Sequence, residues 1–116
     1  MAIFCSRLLK KQALVIYGDG LQTRDYVYVD DVVEANILAW KKDVPSGEIF
    51  NIGRGKNFSI NELAKLIGGP IEYIPRRPGE YPITLADNSK AGKILGWEPK
   101  VSLEEGIAEL KKLHGL

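Results

Sequence analysis

A chain of 116 residues, 45% hydrophobic and 27% charged, has ordinary globular composition and is expected to form one domain around a thin core. Sixteen basic and fifteen acidic residues leave a formal charge of +1, which argues against the clustered basic face of a nucleic-acid binder. The lone Cys5 excludes an internal disulfide, no second Cys or spaced His offers a metal site, and no apolar run reaches the length of a membrane span, so a reducing, cytoplasmic setting is expected.

In chain order, Ala2 to Lys11 carries Ile3, Phe4, Leu8 and Leu9 at helical spacing, with Arg7, Lys10 and Lys11 toward the end that the helix dipole favours for cations. The helix opens at Met1 without a cap, as a chain starting inside a larger architecture would. Leu14 to Tyr17 is a β-rich run ending at Gly18-Asp19-Gly20, where Asp-Gly signals a tight turn. Asp25 to Val29 alternates as a strand should. Asp30 or Asp31 is placed to cap a helix from about Val32 to Lys41, whose apolar residues on more than one face make it the expected most buried helix.

After the turn at Pro45-Ser46-Gly47, Glu48 to Ile52 is read as a strand. The Gly53-Arg54-Gly55-Lys56 loop beyond it has neither the Walker nor the dinucleotide spacing, and is expected to be a plain surface loop rather than a phosphate cradle. Ser59-Ile60-Asn61-Glu62 is a capping box for a helix over Ile60 to Ile67, stopped by Gly68-Gly69-Pro70. Ile71 to Ile74 is a short strand, and Pro75 to Pro82 is a proline-stiffened loop holding Arg76, Arg77 and Glu80. Ile83 to Ala86 reads as strand, and a helix begins at Asp87 or Ser89 and stops at Gly96. Ser102-Leu103-Glu104-Glu105 is a second capping box, opening a helix with Leu103, Ile107, Leu110 and Leu113 along one side. His114 in its last turn suits a C-terminal cation better than a catalytic base. This order of short elements gives a mixed α/β (α+β) fold, a small sheet with covering helices.

One stretch concentrates chemistry. Between Gly18 and Asp31 a turn, a fixed cation at Arg24 and an acidic helix mouth follow one another closely. A guanidinium beside a turn suits a phosphate or carboxylate, because its planar fork donates two parallel charge-assisted hydrogen bonds. The plainer reading from spacing alone is that it pairs with Asp25 or with an acid of the helix start, and both readings stay open.

The wording of this stretch, YGDGLQTRDYVYVDDVVEA, resembles the signature that follows the nucleotide-binding half of the extended short-chain dehydrogenase/reductase family, the NAD-dependent nucleotide-sugar epimerases and dehydratases, and is most similar to the UDP-glucose 4-epimerase branch. Two further segments match in the same order: Pro75 to Glu80, and Asp87 to Ala91 followed by Leu95 to Pro99. The resemblance implies that residues 1–116 are a C-terminal substrate-binding part of a Rossmann-type nucleotide-sugar enzyme without its NAD-binding part. It assigns Arg24 and Arg77 to the diphosphate and Glu80 to ribose hydroxyls, where the family often has Asp. Backbone around Val15 to Tyr17 would line the base, while Asp87, Lys90 and Trp97 would serve structure.

The resemblance also names what is missing. The family pairs a catalytic Tyr with a Lys four positions later, but here Tyr17, Tyr26, Tyr28, Tyr73 and Tyr81 are followed at that spacing by Leu21, Asp30, Val32, Arg77 and Leu85. No glycine fingerprint for NAD is present, so no catalytic or cofactor-binding residue is assigned. The implied partner is a UDP-sugar or related nucleotide-sugar, together with either a second copy of the chain or a separate Rossmann-domain chain; neither nucleic acid nor membrane is expected. Alternatives are a part of a dTDP-glucose 4,6-dehydratase-like enzyme, or a non-catalytic module that binds nucleotide-sugar or self-associates.

Overall fold

The computed structural model describes every residue from Met1 to Leu116. Four strands, β1 (Leu14–Tyr17), β2 (Thr23–Asp25), β3 (Asn57–Ser59) and β4 (Ile71–Ile74), and four α-helices, α1 (Ala2–Leu9), α2 (Val29–Lys41), α3 (Ile60–Ile67) and α4 (Leu103–Leu113), are joined by loops and one π-helical turn, Ala91–Leu95. The fold is therefore mixed α/β with two two-stranded sheets, β1–β4 and β2–β3. No helix is long and apolar enough to cross a membrane.

Two compact units divide the chain, and neither is contiguous. The first gathers Met1–Arg24, Phe58–Thr84 and Glu104–Leu116, and the second Asp25–Asn57 and Leu85–Leu103.

In the first unit β1 and β4 run parallel, with Leu14 opposite Ile71 and Tyr17 opposite Ile74. Leu14 and Ile16 point to one face of β1 and are buried, as a period of two dictates. Phe4 and Cys5 of α1, Leu63, Ala64 and Ile67 of α3, and Ile107 of α4 are also buried, and α1, α3 and β1 pack against one another. Burying a side chain such as Leu14 or Ile67 contributes roughly 1.5–3 kcal/mol. The start of α3 follows the expected capping box: Ser59 Oγ accepts from the Glu62 N–H at 3.1 Å, and the Glu62 carboxylate accepts from the Ser59 N–H at 2.7 Å. Gly68 ends the helix at φ +86°, a conformation costly for any residue with a Cβ. The stripe on α4 holds for Leu103 and Ile107, which are buried, and for the half-buried Leu110, but not for Leu113, which is exposed.

The second unit is built around Ala35, Ala91, Leu95 and Trp97, with Val27, Leu38, Phe50 and Ile52 packed against them. Two carboxylates tie its loops together. Asp25 accepts the backbone N–H groups of Arg54 (2.8 Å), Gly55 (3.0 Å) and Ala86 (3.1 Å). Asp31, 3% exposed, accepts those of Lys100 (3.0 Å) and Val101 (3.2 Å), while its own carbonyl accepts the Trp97 indole N–H at 2.8 Å. Trp97 is thus a packing residue with its polar edge satisfied.

Five expectations are corrected here. Ile83 to Ala86 forms no strand, only an isolated bridge between Ile83 and Thr23. The strand falls on Thr23–Asp25 rather than Asp25–Val29, because Thr23 finds partners at Pro82, Ile83 and Thr84. Helix α2 starts at Val29 with no side-chain cap, since Asp31 is turned to Lys100 and Val101 instead. Nor is α2 the most buried helix: only Asp31 and Ala35 are buried, and Val29, Val33, Ile37 and Trp40 face outward. Glu48 to Ile52 forms no strand; Phe50 and Ile52 turn inward and Ile49 outward, an extended alternation that meets no hydrogen-bonding neighbour.

Candidate functional site

The residues that the sequence assigns to a ligand fall in the first unit, and most of them meet there. Strand β1 delivers Val15 and Tyr17 on its half-buried face, opposite Glu72 and Ile74 of β4. Both strands then leave the sheet together: Gly18 N–H donates to the Ile74 carbonyl at 2.8 Å, the chain turns at Gly18 to Gly20, and β4 continues into the Pro75 to Pro82 loop. The turn is held by Asn61 of α3, whose amide donates to the Asp19 carbonyl at 2.9 Å and whose carbonyl accepts from the Tyr73 hydroxyl at 3.0 Å. Gly20 sits at φ +73° where a Cβ would run into the Asn61 side chain, so only glycine permits this approach.

Arg24 and Glu80, distant in sequence, form an ion pair at 3.2 Å, with side chains 24% and 25% exposed. The second guanidinium nitrogen of Arg24 donates to its neighbour's carbonyl, Thr23 O, at 2.8 Å. Neither Asp25 nor the acids of α2 take this cation. Glu80 Oε1 faces Arg24, whereas Oε2 is buried and makes no hydrogen bond. An acceptor in that condition costs free energy until a donor reaches it.

Arg77 lies over the Tyr17 ring, its guanidinium carbon 3.6 Å from the ring centre, and donates to the Tyr17 hydroxyl. Arg76, which had no assigned role, links the two pairs. Its guanidinium donates to the Glu80 carbonyl at 3.3 Å, and its Cβ stands 3.5 Å from where a Gly18 Cβ would lie. The loop is thereby drawn against the Gly18 turn, with Arg77 and Glu80 at either end of the hook. Paired arginines in a proline-stiffened loop were the available signal; which of them braces the loop is not written in the spacing.

The other candidates settle into structural work in the second unit. Lys90 pairs with Glu48 at 2.5 Å and lies 5.2 Å from the Phe50 ring centre. Asp87 accepts the Ser89 N–H at 3.0 Å, and hydrogen bonds from the Ser89 side chain and backbone hold its carboxyl below the usual value of 3.8, against the small opposing effect of burial and with help from Lys93. In the Gly53 to Lys56 loop, the Arg54 and Gly55 amides that a phosphate would need are already given to Asp25, and the Arg54 side chain donates to the Val101 carbonyl. Asp25 was missed by sequence reasoning, although an Asp inside a strand is a sign that its carboxylate serves backbone elsewhere.

A dinucleotide cradle needs a strand that turns into a helix N-terminus. Here β1 turns at Gly18 to Gly20 into β2 rather than into a helix, so this turn is not such a cradle. No group of three or more His, Cys, Asp or Glu side chains is placed to hold a metal ion.

Residues 2–110 match a family model described as GDP-mannose 4,6 dehydratase. The UDP-glucose 4-epimerase of Mycolicibacterium smegmatis is 42% identical over 115 residues, a match covering 94% of this chain and 36% of the relative. Among solved structures, UDP-glucose 4-epimerase from Thermotoga maritima, crystallised with UDP-glucose, superposes with a TM-score of 0.83 at 46% identity, covering 97% of this chain and 39% of that one. UDP-glucuronic acid 4-epimerase from Bacillus cereus, in complex with UDP-glucuronic acid and NAD, gives a TM-score of 0.88 at 31% identity, covering 97% and 38%. The chain spans little more than a third of the length of these relatives. From the family match over almost all of its residues, the chain belongs to the NAD-dependent epimerase/dehydratase family described as GDP-mannose 4,6 dehydratase, and it corresponds to the C-terminal part of UDP-glucose 4-epimerase-like enzymes.

Proposed function

We propose that this chain is the part of a UDP-glucose 4-epimerase-like, NAD-dependent enzyme that grips the nucleotide end of a nucleotide-sugar, and that hydride and proton transfer belong to residues outside these 116. The observation that carries the reading is the convergence of Arg24, Glu80, Arg77 and Tyr17 around one turn and one loop of the first unit. In this reading Arg24 and Arg77 take the diphosphate, Glu80 takes ribose hydroxyls, and the β1 backbone from Val15 to Tyr17 lines the base. NAD would be bound by the family's nucleotide-binding half. A dTDP-glucose 4,6-dehydratase-like parent fits the same grip, since the chemistry that separates the two reactions acts on the sugar ring.

Isothermal titration of the chain with UDP and UDP-glucose tests the assignment. Charge-assisted hydrogen bonds are worth roughly 1.5–3 kcal/mol each, so Arg24→Ala and Arg77→Ala should each weaken binding about tenfold to a hundredfold. Binding unchanged in both variants would remove the two arginines from the site.

A partner is part of the proposal. The outward row of Val29, Val33, Ile37 and Trp40 on α2, with Trp40 82% exposed, is the kind of apolar stripe that a second copy or a separate Rossmann-domain chain would cover. Sedimentation at rising concentration should show a dimer or larger assembly; a monomer throughout would oppose self-association. A reducing, cytoplasmic setting suits the buried free thiol of Cys5.

A further inference from the structure

The Arg24–Glu80 pair sets an obstacle inside the nucleotide grip. Arg24 is one of the two cations proposed for the diphosphate, yet Glu80 already occupies it at 3.2 Å. The other oxygen of the same carboxylate is buried and without a hydrogen bond. The carboxylate is held in this position from behind, because Arg76 fixes the Glu80 carbonyl and the Gly18 turn backs Arg76. An anion arriving alone would take Arg24 and leave a partly enclosed carboxylate with neither of its oxygens paired. Such a group costs more than the pair it came from.

Taking the nucleotide grip as the role of this site, we propose that Glu80 is a specificity-determining residue that competes with the ligand for Arg24. It yields only to a ligand that brings an anion for Arg24 and hydroxyl donors for Glu80 together. A nucleoside diphosphate, with ribose hydroxyls beside its diphosphate, is the chemical class that meets both demands. Inorganic pyrophosphate meets only the first. Glu80 therefore acts against bare anions, and discrimination of this sort uses a repulsive element as well as an attractive one.

The test is titration of wild-type chain and Glu80→Gln with pyrophosphate and with UDP, in low-salt buffer. The amide keeps the shape and an acceptor but gives up the charge that holds Arg24. Pyrophosphate should bind Glu80→Gln about three- to fivefold more tightly than wild type, the worth of a modest ion pair. UDP should bind it about as well or a few fold more weakly, because a charge-assisted bond to ribose is lost. The gain for pyrophosphate should vanish when Arg24→Ala is added, which ties it to the pair rather than to overall charge.

Pyrophosphate binding that is equal or weaker in Glu80→Gln, or a gain that persists without Arg24, overturns the proposal, even where UDP binds as expected and the grip itself stands. The gain for pyrophosphate with no binding of UDP to wild type keeps the competition and removes the nucleotide assignment. Failure of both ligands with both proteins removes both.

Discussion

Replacing Asp25 with Ala takes away the acceptor for three backbone N–H groups, those of Arg54, Gly55 and Ala86 at 2.8, 3.0 and 3.1 Å. At roughly 1.5–3 kcal/mol for each hydrogen bond to a charged group, the upper sum is about 4.5–9 kcal/mol. Gly55 lies at the surface, where water takes over as acceptor; the two part-buried bonds that remain, taken at the lower end of that range, give an expected net loss of about 3 kcal/mol. That is a large share of the roughly 5–15 kcal/mol that holds a domain folded. With a urea slope of about 1.5 kcal/mol per molar, the midpoint should fall by about 2 M. Asp25→Asn keeps one carbonyl oxygen and should lose about half as much. Amide hydrogen exchange locates the effect: Arg54, Gly55 and Ala86 should lose protection in Asp25→Ala first, with the amides of α3 following only at global unfolding. A midpoint within about 0.5 M of wild type, together with unchanged protection at those three amides, would refute the idea that this carboxylate holds the loops of the second unit.

Further measurements probe other joints. Gly20→Ala imposes a Cβ on a residue at φ +73° and drives it into Asn61; a loss of about 2–3 kcal/mol, seen as a melting temperature lower by roughly 10 °C, is expected, and an unchanged temperature would refute the close approach. Trp97→Phe removes the indole donor to the Asp31 carbonyl and part of the core volume; chemical denaturation should register about 2 kcal/mol, and a loss below about 0.5 kcal/mol would show the bond to be dispensable. Because Ser89 holds the Asp87 carboxyl below 3.8, its contribution is complete above that pH and is lost as pH falls through the lower folded value. The Ser89 amide resonance should therefore titrate below pH 3.8, and a midpoint at or above 3.8 would contradict the assigned hydrogen bond.

How far the sequence foretold the fold depended on whether a signal was local. The capping box at Ser59 and Glu62, the glycines at 18 and 20 and the β-rich runs of β1 and β4 are each decided within a few residues, and each lies where it was expected. Where distant groups compete, local reading failed. Asp31 is a natural helix cap by position, but the amides of Lys100 and Val101 claim it. Residues 48–52 alternate as a strand does, but a strand needs a neighbour with free hydrogen-bonding edges and none is presented to them. The apolar residues of α2 outnumber those that pack into the core of the second unit, so composition overstated its burial. For the candidate site, the family signature supplied Arg24, Arg77 and Glu80, yet no spacing rule says that Arg24 and Glu80 face each other across so much intervening chain. That contact, and the hook made by Arg76, belong to the fold.

The interleaving of the two units has a consequence for the order in which this chain acquires its shape during synthesis. Strand β1 is made before its parallel partner β4, and α4, which sends Lys111 to the Ile67 carbonyl, is made after both. Closing such long loops costs entropy before any contact returns it. Each unit therefore waits on chain that the ribosome delivers only after most of the other has been made. The growing polypeptide should stay accessible to proteases and chaperones until late, then gain its protected form in nearly a single event. Truncations that remove α4 should accordingly lose the first unit as a whole.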